Sequence, residues 1–438
     1  MTTRAILSAT TQAVSEVVAV RIGGSVAAGG DGVGRLPDGK VVLVEGALPG
    51  ELVRAELFEQ RKDFARGRTV AVLDASPGRV EPPCPQRLAG CGGCGWQHVE
   101  VDLQAELRAR IVSDALARIA HLRGAPEPRV VRLASSGYRT TVRLGVDDAG
   151  RPAYRRSHSH DLVVAGSCLV AHPRLEELLV AGRFPGAGSV TLRVGIAGGE
   201  RIAVLDEAGA RPAGPLVERA EVPADVTVLG PPGAGSAARK GARARASGEV
   251  GPGAAFHEAA GGRIWRVSAR SFFQPGPAAA DALAAEVERA IGDSLGAGDL
   301  LVDLYAGVGL LGGSVAARRA ARLVAVERSA GAAADARHNL ADLDAEVVTG
   351  EVGDWRPHPA AAVVADPARP GLGRPGVATV DRSGAGVLVL VSCDPASLAR
   401  DAKLLLAGGW RLGALSLVDA FPHTPHVECV SRFTRPTG

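Results

Sequence analysis

From about Ser271 to the C-terminus, short apolar runs alternate with helical stretches, and this alternation limits the fold more than any other feature of the chain. AAADALAAEVERAI is followed by LLVDLYAG, LVAVERS, AAADARHNLADL, AEVVTG, AAVVADPAR, GVLVLVSCD and ASLARDAKLLLAGG. A run such as GVLVLV has no polar side, so both faces of that strand must be covered. Helices between such strands supply the cover, which is the pattern of a parallel sheet wrapped by helices. The expectation for residues 269–438 is an α/β, Rossmann-like domain whose ligands bind outside the carboxyl ends of its strands.

The first of these strands ends at Leu304 and runs into glycines at 307, 309 and 312. Glycines there let the backbone turn tightly and approach a ligand. Glu327 closes the next strand, where an acid can accept hydrogen bonds from ribose hydroxyls. Taken literally, GVGLLG with an acid roughly 20 residues on is the dinucleotide fingerprint, so a dehydrogenase is a competitor at this point. Two features oppose it. Asp303 stands at the strand end just before the glycines, where methyltransferases hold the amino-acid part of S-adenosylmethionine. The motifs farther along the chain also have no role in hydride transfer.

VVADPARPGLG puts Asp366 at a later strand end with Arg369 close behind, and VLVSCDPASLARD puts Cys393 at the same edge of the sheet. A lone cysteine is usually buried and inert. One at a strand end, followed by Asp-Pro and a helix, can be exposed and activated. Methylation of a pyrimidine at carbon 5 needs such a thiolate, because carbon 5 of uracil is a poor nucleophile. Addition of sulfur to carbon 6 makes an enolate that attacks a methyl sulfonium. A base must then remove the proton from carbon 5 so that the cysteine can leave. DAFPHTPHVECVSRF supplies Glu428, a carboxylate whose pKa a partly dry pocket would raise toward neutrality. His423 and His426 are alternatives, although structural hydrogen bonding explains a histidine more simply.

Upstream, residues 15–78 hold short β-type runs (EVVAVRI, KVVLVEGAL, LVRAELFEQ, RTVAVLDA) between Gly- and Pro-containing turns, as in a small OB-type barrel. Its connection QRKDFARGR is basic with one aromatic, which suits either nucleic acid or plain solvent. Residues 1–14 are expected to be a flexible tail. VDLQAELRARIVSDALARIAHL reads as an amphipathic helix. Residues 79–268 read as a mixed α+β central domain, in which PPGAGSAARKGARARASGEVGPGAAFHEAAGG has the composition of a flexible loop. The chain has 46% hydrophobic and 22% charged residues, enough to bury a sizeable core. Its net charge of +3 is compatible with RNA binding without demanding it. No apolar run is long enough to cross a bilayer, and the first residues lack a secretory pattern. A cytoplasmic monomer is expected, and its six cysteines are better read as metal ligands or catalysts than as disulfides.

Taken together, GGDGVGRLPDGKVVLVEGALPGE, FFQ, DLYAGVG, DPAR, SCDPASLARD and PHTPHVE resemble the TRAM-domain family of S-adenosylmethionine-dependent RNA (uracil-5-)-methyltransferases. The match spans nearly the whole chain, and the last three motifs in that order are highly specific. The resemblance implies Cys393 as nucleophile and Glu428 as base. It implies Gln274, Tyr305, Glu327 and Asp366 as cofactor contacts, with Asp354 in VGDW as a further one. Two departures stand out: Ala368 replaces a frequent proline, and Leu310 stands where some members carry asparagine.

Cys84, Cys91 and Cys94 follow a C-x6-C-x2-C spacing, with Cys168 as the obvious fourth ligand. Spacing leaves a [4Fe-4S] cluster and zinc equally open. The resemblance favours the cluster, and with it ribosomal over transfer RNA as substrate. Two other readings remain: a non-catalytic iron–sulfur RNA-binding protein on a relict methyltransferase fold, and the dehydrogenase.

Overall fold

The structure, a computed structural model, describes residues 16–164, 166–207, 216–231, 239–240 and 254–435. The expected tail, 1–14, lies outside the described residues, as does most of the glycine- and arginine-rich loop after Pro231. Internal contacts divide the chain into two units, Met1–Arg79 and Val80–Gly438.

In the first unit, strands Val17–Val26, Gly32–Arg35, Val41–Glu45, Leu52–Gln60 and Phe64–Asp74 close into a barrel. Alternation turns Val20, Ile22, Val42, Val44, Val53, Ala55 and Leu57 into its core. Glu51 is fully buried, and burial pushes its carboxyl up. Arg79 at 2.6 Å and the amides of Leu48 and Ser76 outweigh that and hold it below the usual carboxylate range. The basic connection QRKDFARGR is mostly strand: only residues 61–63 turn between the last two strands, and Phe58 is exposed with the Arg66 guanidinium 6.0 Å from its ring.

The second unit holds the Rossmann-like sheet. Its order is Ala345–Thr349, Arg322–Glu327, Leu300–Leu304, Ala362–Ala365, Val387–Ser392, Cys429–Thr434, Arg411–Val418 and Arg129–Val131. All neighbours are parallel except Cys429–Thr434, which runs antiparallel to both strands beside it. Chain direction across the sheet reverses between Leu300–Leu304 and Ala362–Ala365, where open α/β sheets bind ligands. The helix Val101–Ile119 lays Val112 and Leu116 into the catalytic core beside Leu398 and Leu405 of the helix Pro395–Ala407.

A second sheet, of seven strands, forms between residues 141 and 240. Helix Pro173–Ala181 covers one face through Leu175, Leu178 and Leu179.

The division expected at residue 268 therefore does not match the packing. Strand Arg129–Val131 and the hairpin Ala255–Ala260/Arg263–Ser268 pack with the catalytic core, Trp265 and Val267 being fully buried there. AAFHEAAGG, read as loop, is the first half of that hairpin. No helix among the described residues is long and apolar enough to cross a membrane.

Candidate active site

The carboxyl ends of the central strands open into a cavity of about 640 Å³. The glycine turn builds one wall. Tyr305 takes φ 63°, a left-handed conformation that a side chain adopts only under about 1–3 kcal/mol of strain. Gly307 and Gly309 follow at φ 58° and 91°. At Gly312, a Cβ would lie 2.6 Å from that of Asp303, so only glycine lets the helix Leu310–Arg319 start so close to the strand. Asp303 accepts from the Gly312 amide through Oδ2 at 2.9 Å, while its Oδ1 is buried with no protein partner. Burial raises its pKa to about 7, with Asp366 and Glu327 adding repulsion. Glu327 is held by the amides of Gly307 (2.9 Å) and Ser329 (2.6 Å). An orphaned acid oxygen at the helix N-terminus and an anchored strand-end acid fit the amino-acid and ribose ends of S-adenosylmethionine.

Strand register brings the chemistry together. Ser392 pairs with Cys429 across antiparallel strands, so Cys393, just past one strand end, lies beside Glu428, just before the other. Ala365 pairs with Leu390, which puts Asp366 one strand over at the same edge. All three residues line the cavity. Cys393 is half-buried, not walled off. Burial, then Glu428 and Asp366, push its thiol up to about 11, against the opposing pull of Arg369. Glu428 is 4% exposed, and burial together with the charge of Asp366 raises its carboxyl well above the usual range. Burial raises Asp366 likewise.

Two polar clamps fix the loops around these groups. Arg108, from the helix Val101–Ile119, donates to Asp419 Oδ1 (2.8 Å) and the Thr424 carbonyl (3.0 Å). Gln104 accepts from the His423 amide at 2.7 Å. Both partners of the Arg108–Asp419 pair are at most 2% exposed, and breaking such a pair typically costs about 3–5 kcal/mol. The loop that delivers Glu428 is thereby tied to a helix some 300 residues upstream, a separation that Arg108–Asp419 sets at 311. On the opposite wall, fully buried Asp335 accepts from Ser268 N (2.9 Å), Ser268 Oγ (2.7 Å), Ser271 Oγ (2.7 Å) and Arg266. Asn339, one turn along the same helix, holds the Arg266 backbone and the Val308 carbonyl (3.0 Å). One helix face thus ties the glycine turn to the loop bearing Phe272, Phe273 and Gln274.

Of the residues expected at the site, Cys393, Glu428, Gln274, Tyr305, Glu327 and Asp366 line this cavity. Asp354 does not: it is exposed in the turn after Val352, and Glu351 is the acid that reaches the wall. Glu351 stands two residues past a strand end, so the carboxyl-edge rule marks it. Leu310 adds an apolar side chain to the wall. His426 also lines it, with burial first and then Arg369 pushing its imidazole pKa down. His423, at φ 66°, is structural. Arg139, Arg270 and Phe272 line the cavity too, with Phe272 73% exposed. Nothing local in the sequence singles out the two arginines.

Cys84, Cys91, Cys94 and Cys168 come together around a separate, smaller cavity walled by Tyr138, Arg139 and Tyr154. Burial first, then neighbouring sulfurs, push Cys91 up, and Cys94 up to about 11. Among the described residues, no group of three or more His, Cys, Asp or Glu side chains is arranged to hold a metal ion. The quartet expected as a metal site is thus gathered but not closed as a ligand set.

Residues 12–70 match the TRAM domain. An uncharacterized RNA methyltransferase of Streptomyces avermitilis is 34% identical over 431 residues, covering 93% of this chain and 96% of that one. The 23S rRNA (uracil(1939)-C(5))-methyltransferase RlmD of Edwardsiella ictaluri is 32% identical, covering 92% and 93%. The crystal structure of Pyrococcus abyssi tRNA (uracil-54, C5)-methyltransferase in complex with S-adenosyl-L-homocysteine superposes with a TM-score of 0.70 at 23% identity, over 95% of this chain and 99% of that one, and so shares the fold. With full-length relatives above 30% identity and the cavity they would require, the chain belongs to the TRAM-domain family of S-adenosylmethionine-dependent RNA (uracil-5-)-methyltransferases.

Proposed function

We propose that this enzyme methylates carbon 5 of a uridine in RNA through a covalent bond between Cys393 and carbon 6 of the base. The observation that carries the reading is the meeting of Cys393 and Glu428 on one cavity with the glycine turn and Glu327. Ribosomal RNA is the favoured substrate, because the ribosomal-RNA enzymes of Edwardsiella ictaluri and Pectobacterium atrosepticum are 32% and 30% identical across the chain.

S-adenosylmethionine, when bound, supplies an electrophilic methyl group. Glu327 would hold its ribose and Asp303 its amino-acid end, with Tyr305 and Gln274 shaping the remaining wall. Cys393 gives its thiol proton to water, and the thiolate adds to carbon 6 of the flipped uracil, the electron pair moving to carbon 5 and the carbonyl oxygen. Carbon 5 then bonds to the methyl carbon while the methyl–sulfur bond breaks, its electron pair staying with the departing thioether, and the Glu428 carboxylate next takes the proton from carbon 5. The carbon 6–sulfur bond then breaks and returns the thiolate, restoring the ring double bond. Glu428 passes its proton to water, and the site is regenerated.

RNA carrying 5-fluorouridine tests this directly, since fluorine on carbon 5 leaves no proton for Glu428 to remove. With S-adenosylmethionine present, the protein should form a denaturant-stable, stoichiometric complex with such RNA. Binding without trapping would favour the relict, non-catalytic reading instead.

The four clustered cysteines are proposed to hold a [4Fe-4S] cluster, with zinc the weaker alternative. The convergence of all four on one cavity is what supports the reading. A cluster there would cross-link the Cys84–Cys94 loop to the segment around Cys168. Protein purified without oxygen should contain about four irons per chain and show broad visible charge-transfer absorbance. Stoichiometric zinc, or no metal at all, would end that assignment.

A further inference from the structure

A second groove, of about 630 Å³, opens on the seven-stranded sheet beside the cysteine loop. Arg143, Arg155 and Arg156 line it and are exposed, and no acidic side chain is among its lining residues. Arg155 has a second nitrogen base, His160 Nδ1, at 3.0 Å rather than a carboxylate. The groove is built rather than incidental. The Gly92 amide donates to the Arg155 carbonyl at 2.9 Å, and a Cβ on Gly92 would lie 2.7 Å from the Ser157 nitrogen. The second residue of CGGC is therefore fitted against the turn that presents the arginines.

Continuity with the catalytic cavity gives the groove its meaning. Asp206 accepts from Arg143 at 3.1 Å and lies 4.0 Å from Arg270, which lines the catalytic cavity. One carboxylate thus sits between two guanidiniums, leaving the line net positive. The Arg143–Asp206 pair is 71% and 35% exposed, and such a pair holds its arginine only weakly. A phosphate can take the arginine over without a buried charge being stranded. Thr191 faces Arg143 and Arg193 faces Thr141 in the strand register, so Arg143 stands on the same sheet face as Arg193. Arg193 in turn lies 5.3 Å from the ring of Phe256 in the catalytic core. The face that packs on the catalytic domain therefore continues to the groove.

We infer that single-stranded RNA flanking the target nucleotide runs from the catalytic cavity past Arg270 and Arg143 into this groove, its phosphates held by Arg143, Arg155 and Arg156. The inference rests on the proposed RNA uridine reading and extends it to the path of the substrate. Arginine suits phosphate through paired N–H donors, and such contacts set affinity and salt dependence rather than sequence.

The test uses the full-length protein and fluorescein-labelled, uridine-rich single strands of roughly 20 and 5 nucleotides, read by anisotropy across a salt series. The triple variant R143A/R155A/R156A should lose affinity for the long strand by 10-fold or more, an order-of-magnitude figure, and flatten its log–log salt slope by about 2, near 0.7 per lost phosphate contact. Binding of the short strand and of S-adenosylhomocysteine should be unchanged, and the R143K/R155K/R156K variant should keep most of the slope. An unchanged slope in the alanine variant overturns the track. Equal losses on long and short strands also overturn it, because they place the effect at the catalytic cavity or in folding. Anisotropy needs no turnover, so a wild-type protein that forms no adduct with 5-fluorouridine RNA would sink the uridine reading without touching this result.

Discussion

Cys393→Ala should abolish methyl transfer, by about 10⁴-fold or more, while S-adenosylhomocysteine binds as it does to the native protein. The sulfur lies at the strand end beside Glu428, and groups expected to hold the cofactor belong to other strands: Asp303 on one with Tyr305 just past its end, and Glu327 on the next. Removing it deletes the bond to carbon 6 and leaves that wall intact. A loss of about 10⁴ corresponds to roughly 5.5 kcal/mol of barrier. Calorimetric titration of the cofactor product alongside a methyl-incorporation assay separates the two effects. Turnover retained in this variant would end the covalent mechanism.

The thiol of Cys393 also sets a pH signature. Burial and two neighbouring acids push it up to about 11, so near neutrality nearly all of it is protonated. A raised thiol pKa means the nucleophilic fraction grows as pH rises. Single-turnover adduct formation should then climb about tenfold per pH unit between roughly pH 6 and 9. A profile flat over that window would show that bound RNA or cofactor has already deprotonated the sulfur.

Much of this site was legible in the sequence because it obeys one rule. Each strand of a parallel sheet ends at the same edge, so the residues after Leu304, Val326, Ala365 and Ser392 had to meet there. Glu428 was legible only as a motif. Its place opposite Cys393 depends on a final strand that enters the sheet backwards, between two earlier ones, which no local pattern encodes. Asp354 rested on the VGDW motif alone, and the turn that carries it leaves its side chain exposed and off the cavity wall. Arg139 and Arg270 belong to segments whose local sequence speaks only of strand or loop, and they reach the cavity through tertiary contacts. The hairpin starting at Ala255 was hidden by glycine-rich flanks, although its own burial alternates as a strand should. The cysteines were found by spacing, yet spacing does not say whether four thiols close around an ion.

Glu428→Gln should stop the reaction at a different point, after the methyl group has moved. Glutamine keeps the shape and packing of the side chain but cannot take a proton from carbon 5. The first methyl transfer should proceed, releasing one S-adenosylhomocysteine per enzyme, and a methylated covalent complex should then accumulate on ordinary uridine RNA. Steady-state turnover should fall by about 10² to 10⁴, the usual weight of a positioned general base. Unfolding does not explain such a loss, because Glu428 and Asp366 repel each other in a buried site and the amide removes that repulsion. Thermal stability should hold or rise. Denaturing gels and the burst of S-adenosylhomocysteine read the outcome. Normal turnover would hand the proton to another group, with His426 a candidate on the same cavity wall. A variant with neither burst nor adduct would mean that Glu428 acts earlier, in deprotonating Cys393, and the division of labour between the two residues would have to be redrawn.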